Sequence, residues 1–108
     1  SLDSGGPGLT RATLVAYAGL SIVQKAPTTI NSRGGTVQVR ATSGTITTAR
    51  AQGGYLDLRG AGVTITNPIE AYEGSTIDLR GFVGTQNGIK LMDGKGVTVL
   101  GDAELTLG

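Results

Sequence analysis

No cysteine, histidine or tryptophan occurs in the 108 residues, and aromatic side chains make up 4% of the chain, with a single phenylalanine. Without cysteine no disulfide can form, and nothing follows about redox compartment. Without cysteine and histidine, the common zinc sites and histidine-dependent acid–base catalysis are excluded. An excess of one charge is also missing. The formal net charge is +1, so charge alone draws the chain to neither a polyanion nor a membrane surface. Long hydrophobic runs are absent too. Ala12 to Val23 is interrupted by Thr13, Gly19 and Ser21, which makes it too short and too broken for a transmembrane helix. It also lacks the basic start and cleavage pattern of a signal peptide. Large aromatics usually dominate globular cores. Here the core has to be thin and built from Val, Ile, Leu and Ala.

What is present is glycine, at 19 residues, together with abundant threonine. That composition suits short strands joined by tight corners. Ser1 to Gly8 contains Gly5, Gly6, Pro7 and Gly8 and reads as a flexible arm. Residues 9–27 read as an irregular first coil or a capping segment. Leu14, Val15, Ala18, Ile22 and Val23 fit a helical stripe, yet Val15, Tyr17, Ile22 and Val23 fit strands equally well. Pro27 then interrupts.

From residue 28 to 108 the chain is a repeat. Gly53-Gly54-Tyr55-Leu56-Asp57-Leu58-Arg59-Gly60 returns as Glu73-Gly74-Ser75-Thr76-Ile77-Asp78-Leu79-Arg80-Gly81. Weaker copies run from Gly34 to Arg40 and from Lys95 to Gly101. The markers Val37, Leu56, Ile77 and Val97 are 19, 21 and 20 residues apart, and each is followed two residues later by another aliphatic. That is the period-two signature of a strand with one buried face. A second apolar set comprises Ile46, then Ile65 with Val63. It fails at the polar Gly84-Thr85-Gln86-Asn87 and returns, by this reading, as Leu105 and Leu107. A third set, Ala49 and Ala51, Ile69 and Ala71, Ile89 and Leu91, repeats every 20 residues.

Self-similarity at this period marks a solenoid. Three strands per turn predict an all-β chain folded as a short three-sided parallel β-helix of about 20 residues per turn. Each strand would pair with its equivalent one turn on, at about 4.8 Å. The alternative is an antiparallel β-sandwich, which also uses many short strands with regular turns.

The Gly-x-aliphatic-x-aliphatic strands, such as Gly54 to Leu58 and Gly96 to Val99, resemble the coils of phage tailspike and virion-decoration proteins. They are also similar to the coils of filamentous-haemagglutinin-type adhesins and of bactofilin filaments. The resemblance covers residues 28–108 and implies an architecture; no single family is matched, and no catalytic motif is carried over.

Alternation places Gln38, Asp57, Asp78 and Thr98 in one outward column and Arg40, Arg59, Arg80 and Leu100 in the next. Stacked aspartates alone repel, and the arginine column offsets them. The plain reading is a solvated, charge-compensated face. The sharper one is a contact patch of Arg40, Asp57, Arg59, Asp78 and Arg80 for carboxylates or a glycan, by bidentate arginine geometry. Paired carboxylates at this spacing also suit a retaining glycosidase. Cleft-building loops are missing, however, and Tyr17, Tyr55, Tyr72 and Phe82 are the only sugar platforms, so no enzyme activity is expected. No metal or other cofactor is expected either: Asp93-Gly94 and Gly101-Asp102 read as turns, not calcium ligands. Balanced charge argues against nucleic acid, and membrane insertion is not expected.

These readings predict a structural or assembly protein, a capsid-decoration or spike-type component of a virion, acting as a homotrimer among other particle proteins. An adhesin-type glycan- or surface-binding module is the alternative, and a bactofilin-like filament former the third. The expected location is the virion or cell exterior, or the cytoplasm for a filament.

Overall fold

The fold is that of a computed structural model, which describes residues 2–3, 14–16, 20–23 and 28–107. Every element among them is a strand, and no helix is long and apolar enough to cross a membrane. The strands recur in a fixed cycle of three sides. The first side stacks β1 (Leu2–Asp3), β4 (Thr29–Arg33), β7 (Thr48–Gln52), β10 (Ile69–Ala71), β12 (Ile89–Leu91) and β14 (Leu105–Leu107). The second stacks β3 (Leu20–Val23), β5 (Thr36–Val39), β8 (Tyr55–Asp57), β11 (Thr76–Asp78) and β13 (Thr98–Leu100), with β2 (Leu14–Ala16) beyond β3. The third holds β6 (Thr45–Ile46) and β9 (Thr64–Ile65), extended by a bridge to Thr85. Among the described residues every strand pairing between turns is parallel; β2 and β3 form an antiparallel pair, and an isolated antiparallel bridge joins Arg33 to Gly53. The chain is a three-sided parallel β-solenoid, and the sandwich alternative falls with the parallel registers.

Register explains why these residues take these places. Each side stacks the inward side chains of its strands on one another, aliphatic except for the buried Ser32. Val37, Leu56, Ile77 and Val99 align on the second side. Ser32, Ala51, Ala71, Leu91 and Leu107 align on the first. Ile46 pairs with Ile65 on the third. Residues from Ile30 through Ile89 on these ladders are fully buried. With no large aromatic among the described residues that are fully buried, the space between three sheets is filled by Ile, Leu, Val and Ala. Packing at this density makes each methylene count. Corners are bonded from turn to turn as well: Tyr55 N–H donates to Gly35 C=O at 2.9 Å, and Thr76 N–H to Gly54 C=O at 2.8 Å. Gly54 is obligatory, because a Cβ there would lie 2.3 Å from the Gly35 carbonyl oxygen.

Three local expectations need correction. Val99, not Val97, continues the Val37 ladder, because the corner Asp93 to Gly96 holds extra residues. A two-residue shift preserves which face a side chain occupies, so alternation could not detect it. For the same reason Thr98 stacks on Thr76, and Leu100, not Thr98, follows Asp78. Finally, Leu105 and Leu107 pair with Ile89 and Leu91 on the first side. Ten positions separate Leu79 from Ile89, whereas four separate Gly101 from Leu105. The last turn omits its third side.

Toward the amino terminus, the segment that admitted a helix or strands contains β2 and β3; residues 9–13, 17–19 and 24–27 lie outside the described residues. Leu2 and Asp3, within the expected arm, pair with Ile30 and Asn31, and the remaining residues of that arm lie outside the described residues.

Truncating a ladder residue leaves a cavity that rigid neighbouring sheets cannot close. We expect Leu56→Ala to cost roughly 2–5 kcal/mol in denaturant unfolding. Val83→Ala, at a position 77% exposed, should change stability by less than about 0.5 kcal/mol. Equal losses at the two sites would contradict the assignment of the core.

Candidate functional site

The five residues singled out on the outer face lie on β5, β8 and β11 and the corners that follow them. Asp57 and Asp78 sit side by side in register. Both point away from the core, between the buried pairs Leu56/Leu58 and Ile77/Leu79. They are nevertheless inaccessible, with side-chain exposure of 0%. The arginines roof them. The expected solvated face is therefore solvated only at its arginines, where Arg40 is 32%, Arg59 45% and Arg80 58% exposed.

The geometry is a zigzag of forks. Arg59 donates Nε to Asp57 Oδ1 at 3.0 Å and Nη2 to Oδ2 at 2.9 Å. Arg80 repeats this on Asp78 at 2.9 and 2.7 Å. Each carboxylate also accepts the backbone N–H of its own arginine at 3.1 Å. Asp-Leu-Arg-Gly is thus a corner module, closed by Gly60 and Gly81, both at φ +72°, a backbone state that glycine takes without strain. Links between turns complete the column. Arg40 Nη2 reaches Asp57 Oδ2 at 2.8 Å, and Arg59 Nε stands 3.6 Å from Asp78 Oδ2. Tyr55 Oη donates to Asp78 Oδ2 at 2.6 Å.

The electrostatics follow from this saturation. Burial pushes the Asp57 carboxyl up, but hydrogen bonds from the Arg59 and Arg40 side chains and the Arg59 N–H outweigh it. The group is held at about 2 against the usual 3.8. The Arg80 fork holds Asp78 well below the carboxylate range against the opposing effect of burial, with help from the Tyr55 hydroxyl and the Arg80 N–H. Donation to Asp78 raises the Tyr55 hydroxyl, and burial adds to it. A general acid needs a carboxyl that still carries a proton near the working pH. These two are locked as anions, with both oxygens of each engaged. The arginines in turn spend Nε and Nη2 on their own aspartates, leaving Nη1 of Arg59 and Arg80 as the outward donor.

Sequence reasoning missed Tyr55. Its signal was available, since it stands two residues before Asp57 and hence on the same face. It also missed the ion pair of Arg50 Nε with Glu70 Oε1 at 2.6 Å, which joins registered neighbours on β7 and β10. Asp93 accepts the Lys95 N–H at 3.2 Å, the bond of a turn. Among the described residues, no three acidic side chains gather as a potential metal-ligand set. Of Gly81 to Gly88, Phe82 packs partly against the core and Val83 is 77% exposed.

Comparison with protein-family models, with curated proteins and with solved structures finds no match to this chain.

A carboxylate whose folded pKa is depressed lends stability that is present above its unfolded pKa and is lost as pH falls through the folded one. We expect the melting temperature to hold from pH 7 to about pH 4, then to drop toward pH 2, where Asp57 protonates, and to keep falling below it with Asp78. Asp57 should account for on the order of 1–2 kcal/mol of that loss. An Asp57→Asn, Asp78→Asn double variant should be less stable at pH 7 and show a flatter acid limb by circular dichroism. An acid limb identical to that of the parent would exclude the ladder as its cause.

Proposed function

We propose that this chain is a non-enzymatic structural and assembly protein, a capsid-decoration or spike-type component of a virion or comparable particle, built as a homotrimer. One observation carries the assembly reading. In the last described turn, Leu105 and Leu107 continue the inner ladder in register, yet they are 52% and 87% exposed. Among the described residues no strand pairs with the far edge of β14 or β13. Neither edge strand carries a charge or a proline, the usual devices that keep sheet edges apart. An apolar ladder with a bare edge fits a cover better than it fits water, and a neighbouring subunit, a stacked copy or further residues of the chain would each supply one. The saturated aspartates support the non-enzymatic part, since the only carboxylate pair in register among the described residues is tied up in corner structure. What supports the particle setting is the likeness of the coil to those of tailspike and virion-decoration proteins.

Exposure of Arg59 and Arg80 favours a second reading, an adhesin-type module that meets a glycan or a surface through this column. An Arg59→Ala, Arg80→Ala double variant that binds glycans as the parent does would remove that assignment. The third reading, filament formation, predicts open-ended growth.

Light scattering on a sizing column across a wide concentration range tests the first reading. A discrete, concentration-independent trimer is expected, and a Leu105→Lys, Leu107→Lys double variant should dissociate with its fold intact. A strictly monomeric parent at high concentration would overturn it.

A further inference from the structure

The skipped third side of the last turn leaves a gap beneath the segment Gly84 to Asn87. An open groove of about 440 Å³ occupies that place, lined among others by Arg80, Phe82, Gly84, Thr85, Gln86 and Asp102. Its volume lies in the range of ligand sites, and its shape has a specific origin. On this side each turn hangs its strand from the one before. Thr85 donates its N–H to Val63 C=O at 3.0 Å and accepts the Ile65 N–H at 2.8 Å. One turn on, the groups equivalent to those of Val63 and Ile65 are the Gly84 C=O and the Gln86 N–H. Neither has a hydrogen-bond partner among the described residues. They flank the groove, spaced as a parallel strand requires.

The side chains agree with the backbone. The third-side inner ladder runs Ile46, Ile65 and then Gln86. It turns polar at the turn that has no third side beneath it. Gln86 is half-buried, and its Oε1 accepts the Gly88 N–H at 2.6 Å while Nε2 approaches Asp102 C=O at 3.4 Å. That arrangement keeps the segment extended while its free edge faces the gap. Phe82 is the single aromatic in the lining, too little for a stacked sugar site. The pair of orphaned main-chain groups instead matches another main chain.

We propose that this groove is a strand-addition site, which takes an extended segment of a partner polypeptide as the missing third side of the last turn. The occupant runs parallel to Gly84–Gln86, donates one N–H to the Gly84 carbonyl and accepts the Gln86 N–H. Main-chain bonds supply the affinity and alternate side chains the selectivity. With Arg80 and Asp102 both at the rim, an uncharged segment fits best, with an aliphatic facing inward on each side of the bonded residue. Leu105 and Leu107 do not line the groove, so the site does not depend on assembly through the apolar end.

The probe is a synthetic peptide of residues 61–67, Ala-Gly-Val-Thr-Ile-Thr-Asn, the stretch that builds this side one turn earlier. Titrated into the ¹⁵N-labelled full chain, it should shift the Gln86 amide resonance and slow its hydrogen exchange, with a Kd between about 1 μM and 1 mM. A control peptide with proline for the central threonine should not bind. Gln86→Pro, which removes the recognising N–H, should weaken binding at least tenfold. Because that change also costs the Gly88 bond, Asp102→Trp provides a second block that occludes the groove while leaving the Gln86 N–H in place. Absence of binding at 1 mM would overturn the proposal. So would undiminished binding in Asp102→Trp, or capture of oligosaccharides but not of the peptide. None of these outcomes bears on solution mass, so the trimer reading stands or falls separately.

Discussion

Parallel, in-register stacking of one turn on the next is the interaction on which everything else rests. Hydrogen bonds between equivalent strands hold successive turns one strand-width apart. That spacing forces every residue to meet its own counterpart above and below. A core without tryptophan and with scarcely any phenylalanine becomes sufficient, because Val37, Leu56, Ile77 and Val99 need only touch one another along a narrow shaft. The corners obey the same rule. Gly54 passes so close to Gly35 that no side chain fits between them.

The same spacing creates the main electrostatic problem of the molecule and its solution. Stacking brings Asp57 against Asp78, where two anions would repel. Each is answered by the arginine two residues on, whose fork and N–H close the corner, and by donors from a neighbouring turn: Arg40 for Asp57, and Tyr55 with Arg59 for Asp78. Corner closure and charge neutralisation are one device, repeated with the period of the coil. The outward guanidinium edges that remain are a by-product of it, and the aspartates beneath them are out of a ligand's reach.

Regular stacking also makes the departures informative. Where the chain shortens its path between Gly101 and Leu105, the third side loses its strand and the inner ladder changes from Ile65 to Gln86. The first side meanwhile keeps its aliphatics to Leu107, although nothing described lies over them. A polar residue at one opening and leucines at the other are different answers to the same loss of a neighbour. They leave two surfaces of different chemistry.

The all-β class, the three-sided solenoid and the aliphatic ladders were legible in the chain itself. Period-two alternation and a repeat near 20 residues are local and one-dimensional, and stacking converts them directly into position. The columns of Asp57, Asp78 and the arginines were legible for the same reason. Register in the last turn was not. A two-residue insertion at Asp93 to Gly96 leaves alternation intact, and the six-residue shortcut after Gly101 disguises a first-side strand as a third-side one. Only the tertiary structure decided that Asp57 and Asp78 are sealed beneath their arginines, because burial of an outward residue depends on what a neighbouring turn folds over it. It alone decided, too, that a groove exists, since a gap is defined by the turn that fails to fill it.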